Sequence, residues 1–172
     1  EFYPRFNGRE HISFADPAST GRGALTKVVR GKISVSQGAA YWTNQETIYE
    51  ADQKYYSGAG IHFGCKIAFD ETGHVFFTVG ERGTQMRVQK ENESPYGKVM
   101  RLNLDGSVPS DNPIAGNPMW STGHRNQQGL TFDLEGKLWD TEHGPRGGDE
   151  VNLIKKGANY GWPIRALSIN YN

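Results

Sequence analysis

This sequence of 172 residues places a side chain suited to proton transfer and one suited to charge stabilisation at equivalent positions of an internal repeat. His62 and Arg125 stand 63 positions apart (125 − 62 = 63), each a few residues ahead of a β-prone run. A histidine, whose pKa lies near neutrality, can serve as a general base. A guanidinium can stabilise negative charge that develops on an oxygen atom. Whether the two groups share a site depends on the elements that carry them.

Several other chemistries are disfavoured by the residues present. The five histidines show no zinc-ligand spacing, and the single cysteine, Cys65, cannot build a thiolate cluster. No Gly-x-Gly-x-x-Gly follows an apolar run, which disfavours nicotinamide binding. Lys plus Arg and Asp plus Glu number 19 each, so there is no basic excess for a nucleic-acid partner. No apolar run approaches the roughly 18 residues that a transmembrane segment needs, and no signal peptide is recognised.

An internal repeat supplies the elements that would position both residues. Residues 60–78 return as residues 123–141, with a shared Phe-Asp-x-x-Gly core, at a constant offset of 63 (123 − 60 and 141 − 78). A repeated supersecondary unit predicts a solenoid or a propeller. Because the unit is a strand hairpin without a helix, we predict an all-β chain whose copies belong to β-propeller blades. Equivalent positions in two blades point to the same end of the central channel, so His62 and Arg125 should converge on one pocket.

Turn signals predict the individual strands. The 22 glycines and an aromatic share of 12% favour strands joined by tight turns. Hairpins are predicted over residues 67–79, 99–108 and 130–141, followed by a short strand over 151–154. Ahead of residue 60 the pattern is less distinct. The strands predicted there cover residues 10–14, 25–29 and 32–41, with a strand end and a loop over 45–56.

The motifs from residue 60 onward resemble one family. Residues 123–130 read GHRNQQGL, residues 142–154 read EHGPRGGDEVNLI and residues 159–163 read NYGWP. Together with matching stretches upstream, they resemble the soluble glucose and aldose sugar dehydrogenases that depend on pyrroloquinoline quinone (PQQ). The resemblance is strong over about residues 60–163 and thin before them. It implies a six-bladed β-propeller, with residues 1–172 forming about two to three blades of that single domain.

The resemblance assigns reaction chemistry to four of these residues. His62 would be the catalytic base that removes the hydroxyl proton at C1 of an aldose while hydride leaves to the quinone. Glu81 would be the carboxylate that orients this base. Arg125 and Asn126 would contact the quinone, with the guanidinium stabilising the negative charge on its oxygen.

The resemblance also implies two calcium sites. The main-chain carbonyls of Gly144 and Pro145 would hold the Ca²⁺ ion that binds PQQ, in keeping with the preference of this hard cation for oxygen ligands. Glu150 and Tyr160 would belong to a second, structural calcium site. An ordinary Gly-Pro turn is the alternative for the first pair, and two ligands alone do not define the second site.

Four residues, at three places in the sequence, depart from the family pattern. Glu81 stands where the family usually has Asp, Gln127 where it has Pro, and the Cys65–Lys66 pair where it has Ser-Arg or a similar pair. Glutamate keeps the charge but adds a methylene, which shifts any contact to His62. Losing a proline loosens the loop that follows the Arg-Asn pair. Neither the Glu81 nor the Gln127 change removes a key functional group, and altered substrate preference or weaker activity is the expected consequence.

Partners and location follow from the same resemblance. It implies an aldose substrate, an external electron acceptor and a periplasmic or secreted location, with a homodimer as a further expectation. Two alternatives remain open at this point. One is a non-catalytic β-propeller of the same superfamily that binds a protein or a glycan. The other, indicated also by the absence of an initial Met, is a partial chain that lacks further cofactor-binding residues and is inactive alone.

Overall fold

Nearly all of the regular structure is β. The computed structural model describes residues 10–17, 21, 23–90 and 94–169. The strands run in chain order as β1 Glu10–Pro17, β2 Ala24–Ser36, β3 Ala39–Glu50, β4 Gly64–Phe69, β5 His74–Val79, β6 Lys98–Asn103, β7 Met119–Thr122, β8 Gln127–Phe132, β9 Leu138–Glu142 and β10 Glu150–Ile154. Within the described ranges the helical elements are two 3₁₀ turns, Gln53–Tyr55 and Gln85–Arg87. No helix there has the length and apolar content to cross a membrane. The predicted all-β class is confirmed.

The strands form three antiparallel sheets in which chain neighbours pair. Their orders are β1-β2-β3, β4-β5-β6-β7 and β8-β9-β10. A four-stranded antiparallel meander such as β4–β7 is the unit from which propeller blades are built. Three sheets in about 170 residues agree with the expected two to three blades.

The 63-residue repeat is visible in the backbone. Adding 63 to the bounds of β4 gives the bounds of β8. Both strands open with a register shift, between Gly64 and Ile67 in the first and between Gln127 and Gly129 in the second. The hairpins predicted over 67–79 and 130–141 are therefore confirmed, and the strand over 151–154 lies within β10.

The hairpin predicted over residues 99–108 is wrong in its second half. The turn forms as expected, with Gly106 N donating to Asn103 O at 2.9 Å. Ser107 and Val108 do not continue as a strand, because both edges of β6 are already occupied. β5 pairs with one edge and β7, eleven residues beyond Val108 (119 − 108 = 11), pairs with the other. Pro109, which lacks a backbone donor, cannot extend a ladder there.

The strand predicted over residues 32–41 is also wrong. It spans the end of β2, a tight turn and the start of β3, with Ser36 opposite Ala39. Gln37 and Gly38 both have positive φ, 51° and 77°, which suits the two-residue turn of a β-hairpin. The other early predictions hold, since 10–14 lies in β1, 25–29 lies in β2 and a loop follows β3.

The middle sheet is buried on both faces. Alternate residues of β5, namely Val75, Phe77 and Val79, face one apolar cluster that includes Leu25 and Val28 of β2. Phe76 faces the other side, where its ring meets those of Trp120 and Phe132 edge-on at 5.4 and 5.3 Å. This period of two places each sheet face to face with the next, as stacked blades require.

Truncating the buried β5 face should destabilise the protein strongly. Phe77 is fully buried, so Phe77→Ala should lower the free energy of unfolding by about 3–5 kcal/mol, since it removes a large apolar side chain and leaves a cavity. Leu134, whose side chain is fully exposed in a hairpin turn, provides the matched control. Leu134→Ala should change stability by less than about 0.5 kcal/mol. Equilibrium urea unfolding measures both, and equal losses would contradict this assignment of the core.

Candidate active site

The His62 side chain is held by a buried carboxylate. His62 precedes β4, Glu81 follows β5, and His62 Nδ1 hydrogen-bonds Glu81 Oε1. The carboxylate is almost fully buried, whereas the imidazole keeps 16% of its surface exposed. Within the described part of the chain, Nε2 of this ring has no hydrogen-bond partner. The carboxylate therefore fixes the ring through one nitrogen and leaves the other available.

Backbone geometry explains why these two residues meet. Gly80 N donates to Phe63 O at 3.1 Å, which closes the β4–β5 pair next to His62. A Cβ at Gly80 would lie 1.9 Å from the carbonyl oxygen of His62, so only glycine allows this approach. His62 itself has a positive φ of 53°. Non-glycine residues in this conformation are uncommon and often belong to functional sites.

Arg125 is the centre of a second group, ahead of β8. Its Nη1 donates to the carbonyl oxygens of His143 and Gly144 at 2.9 and 3.0 Å. The guanidinium carbon lies 5.4 Å from the ring centroid of Trp162. Arg125 is only 7% exposed. Its buried Nε has no hydrogen-bond partner among the described residues, so one donor of the guanidinium is not used by the protein.

A backbone hydrogen bond joins the two groups. Glu81 N donates to Arg125 O at 2.9 Å, which links the residue that orients His62 to the segment that carries Arg125. A small cleft, with a cavity volume of only about 10 Å³, lies beside Arg125. Its walls include five of the residues singled out in the sequence, namely Arg125, Gly144, Pro145, Glu150 and Tyr160. His62, Glu81 and Asn126 are not among the lining residues, and the convergence of His62 and Arg125 on one pocket stays a prediction.

Asn126 lies at the start of the β8–β9 pair. Its carbonyl accepts a hydrogen bond from His143 N at 3.1 Å, the counterpart of the bond between Phe63 and Gly80 one repeat earlier. Its Oδ1 accepts from Gln128 Nε2 at 2.9 Å. The side chain is half-buried. A contact between Asn126 and a quinone stays a prediction.

The Gly144–Pro145 loop is sharply bent and rich in oxygen atoms. A Cβ at Gly144 would lie 2.2 Å from the carbonyl oxygen of Gly147, so this turn requires glycine. Gly144 N donates to Asp149 Oδ1 at 2.9 Å. That hydrogen bond and the His143 side chain lower the pKa of the Asp149 carboxyl. The Gly144 carbonyl points at a cationic side chain, that of Arg125, and so already serves as a ligand for positive charge.

Glu150 and Tyr160 line the same cleft. The Tyr160 hydroxyl donates to Leu153 O at 2.5 Å and accepts from Lys155 N at 2.9 Å. Glu150 Oε2 accepts from Asn152 Nδ2 at 3.3 Å. The tyrosine hydroxyl is thus committed to the backbone, and a calcium ion would have to use the Tyr160 carbonyl.

Sequence reasoning missed a buried charged cluster behind Arg125. His124, Asp140 and Glu142 are all buried, and Arg125 N donates to Glu142 Oε2 at 2.7 Å. Burial raises the pKa of Asp140 to about 7, against the opposing influence of His124. Burial alone would raise the pKa of Glu142, but the His124 ring and the hydrogen bond from Arg125 N outweigh it, and this pKa is lowered.

The repeat contains the signal that could have found this cluster. At the offset of 63, Asp140 and Glu142 replace Phe77 and Val79, which are fully buried in the first copy. Two carboxylates at positions that the fold buries need partners or a function. The same comparison accounts for their burial, because β9 is the equivalent of β5 in the second copy of the repeat.

The sequence motifs that carry these site residues match those of one protein family. Residues 2–172 fit the family model described as Glucose / Sorbosone dehydrogenase. The chain belongs to this family. It is 36% identical, over 94% of its length, to the aldose sugar dehydrogenase YliI of Escherichia coli, of which the match covers 43%. It is 42% identical over 123 residues to quinoprotein glucose dehydrogenase B of Acinetobacter calcoaceticus, a match covering 59% of this chain and 26% of that protein.

Solved structures of the family agree with this fold. The PQQ-bound form of aldose sugar dehydrogenase from Streptomyces coelicolor superposes with a TM-score of 0.82 at 29% identity, over 94% of this chain and 46% of that one. The chain therefore spans less than half the length of the relatives that it matches. The family resemblance and the β-propeller class are confirmed.

Proposed function

We propose that the full-length protein oxidises an aldose at C1 to the lactone, with His62 as the general base and PQQ as the hydride acceptor. The observation that carries this proposal is the pairing of a partly exposed His62 ring with the buried Glu81 carboxylate. A carboxylate on one ring nitrogen fixes the tautomer and stabilises the imidazolium that forms when the other nitrogen takes a proton. A binding module that performs no chemistry has no need of this arrangement.

The proton path starts at the sugar. The C1 hydroxyl proton passes to Nε2 of His62, the C1–H bond breaks with both of its electrons, and a C1=O bond forms. Glu81 keeps Nδ1 protonated and oriented throughout this step. PQQ, when bound, would accept the hydride that leaves C1.

The cleft has the donor set that an oxygen-rich quinone requires. Arg125 Nε and Trp162 Nε1 are both buried and without partners among the described residues, and both residues line the cleft. Unsatisfied buried donors are costly, so a bound acceptor group would relieve them. A calcium ion between protein and cofactor would use the Gly144 carbonyl, which in this structure accepts from Arg125 Nη1 at 3.0 Å. Pro145 would supply the second carbonyl, and Glu150 and Tyr160 the second calcium site.

An assay with added cofactor tests the proposal directly. The full-length protein, incubated with PQQ and Ca²⁺, should reduce an artificial dye acceptor when an aldose is added, and the lactone should form in equal amount. Omission of PQQ is the control. If a fluorescence titration shows that PQQ binds but no aldose is oxidised, the catalytic proposal fails. The non-catalytic β-propeller is then the favoured alternative.

Removal of calcium should lower the activity of the PQQ-loaded protein. The expected loss follows from the role proposed for the Gly144 and Pro145 carbonyls, which have no net charge of their own to hold an anionic cofactor. Treatment with excess chelator should abolish dye reduction, and added Ca²⁺ should restore it. Activity that persists after metal analysis shows no residual calcium would contradict this role.

The remaining family expectations extend this proposal. An external electron acceptor is required to reoxidise the cofactor after each turnover. A periplasmic or secreted location and a homodimer stay predictions. Fractionation of the native host and light scattering of the full-length protein would test them.

A further inference from the structure

Three side chains behind the cleft form a closed polar cluster. His124 Nδ1 lies 3.2 Å from Glu142 Oε1 and 3.5 Å from Asp140 Oδ2. The side chains of His124 and Asp140 have no exposed surface, and that of Glu142 is 5% exposed. Two carboxylates in so little space repel each other, and each has lost its hydration. The cluster needs positive charge from some source.

Asp140 is the member that the protein leaves unsatisfied. Both of its carboxylate oxygens are buried, and neither accepts a well-formed hydrogen bond from another described residue, since the nearby Asn152 amide interacts with it only weakly. Glu142 differs, because it accepts from Arg125 N at 2.7 Å and from Asn152 Nδ2 at 3.1 Å. Buried carboxylates that lack both donors and a cation are rare in folded proteins. The contact of Asp140 with His124 at 3.5 Å is longer than a hydrogen bond, so the carboxylate is only loosely compensated by the described residues.

The spacing of the three groups matches that of metal ligands. One ligand atom from each residue can be chosen so that all three lie within 4.8 Å of one another. Zn²⁺ binds nitrogen and oxygen at about 2.1 Å, which sets neighbouring ligands of a tetrahedral ion about 3.4 Å apart. The separations of 3.2 and 3.5 Å from His124 Nδ1 fall on either side of that value.

The surroundings of His124 match those of a metal-binding histidine. Its Nε2 pairs with the hydroxyl of Ser121 at 2.9 Å, and the ring stacks on Tyr160 with centroids 4.6 Å apart. Metal-bound histidines usually donate their second ring N–H to such an acceptor, which fixes the ring and leaves the first nitrogen for the ion. Tyr160 and Glu142 also line the cleft, so the cluster reaches the cleft wall through Glu142.

We propose that His124, Asp140 and Glu142 bind one divalent first-row cation, of which Zn²⁺ is the best fit. One imidazole and two carboxylates suit such an ion, and their two negative charges balance its charge. A water molecule would complete the tetrahedron. The ion would support the backbone of Arg125 through Glu142, and its site is separate from the carbonyl oxygens proposed for calcium. The spacing of histidines and cysteines in the sequence gives no sign of this site, because two of its three ligands are carboxylates.

Metal analysis of the full-length protein tests the site without any enzymatic reaction. Equilibrium dialysis against Zn²⁺ in excess Ca²⁺, which saturates the calcium positions, should leave one zinc per chain. Asp140→Asn keeps the shape of the side chain and removes its charge, and it should weaken zinc binding at least tenfold. Asp111→Asn is the control, since Asp111 is a 63% exposed carboxylate paired with Arg101. It should leave zinc binding unchanged.

A second variant keeps the test decisive if Asp140→Asn fails to fold. Ser121→Ala removes only the hydroxyl that holds His124 and should weaken zinc binding about 10–100-fold. Cobalt substitution adds a direct signature, because Co²⁺ in a site of one imidazole and two carboxylates should absorb in the visible range. Absence of stoichiometric zinc in the parent protein would overturn the proposal. So would zinc binding that neither Asp140→Asn nor Ser121→Ala affects, whatever the outcome of the sugar oxidation assay.

Discussion

Replacing His62 by alanine is expected to lower kcat for aldose oxidation by at least about 100-fold in the full-length, PQQ-loaded protein. General-base assistance contributes about 10²–10⁴ in rate, and the variant loses all of it. PQQ binding should be unchanged, because the role proposed for His62 is to take a proton from the sugar hydroxyl and not to hold the cofactor. Stopped-flow reduction of the bound cofactor separates this effect on the chemical step from effects on binding.

The chain offers a matched control for this variant. His74 is also paired with a carboxylate, at 2.7 Å from Asp70, and its side chain is 17% exposed, close to the 16% of His62. It lies at the start of β5, at the opposite end of the strand from Glu81. His74→Ala should therefore leave kcat within about twofold. A similar loss in both variants would mean that His62 acts through stability, and unchanged kcat in His62→Ala would exclude it as the base.

The hairpins from residue 60 onward were predictable because local and repeated signals agree. The β4–β5 and β8–β9 pairs each combine alternating apolar residues with an Asp-x-x-Gly turn, and each copy supports the other. The prediction over 99–108 rested on a turn alone. A turn determines where a chain reverses, but the pairing of β6 was decided by β7, which lies beyond a loop that carries no strand signal.

The contact between His62 and Glu81 was predictable from the motifs, whereas the functional roles of the site residues stay predictions. The Gly80 position, where a side chain would strike the His62 carbonyl, explains why the His62–Glu81 pair forms, and the motif around it gave both residues. The buried cluster was missed for a physical reason. Asp140 and Glu142 alternate along β9 as charged surface residues do, and only the superposition on Phe77 and Val79 shows that the fold buries those positions.

Replacing Arg125 by alanine should lower kcat about 10²–10³-fold and also weaken PQQ binding. One preorganised donor facing a developing oxyanion contributes about that much to the rate. The guanidinium is preorganised here, because the carbonyls of His143 and Gly144 hold Nη1 and leave the Nε donor unused. Arg125 lines the cleft proposed for the cofactor, so its removal should weaken PQQ binding as well as slow the chemical step.

Two further variants show whether charge or geometry causes the loss. Arg125→Lys keeps the positive charge but not the planar fork of donors, so it should recover PQQ affinity in part and kcat little. Arg87→Ala, which removes an exposed arginine at the end of a 3₁₀ turn, should change neither quantity. If Arg125→Ala weakens PQQ binding without lowering kcat, the guanidinium only anchors the cofactor. In that case another cation, such as the calcium ion proposed at Gly144 and Pro145, must stabilise the charge that develops during hydride transfer.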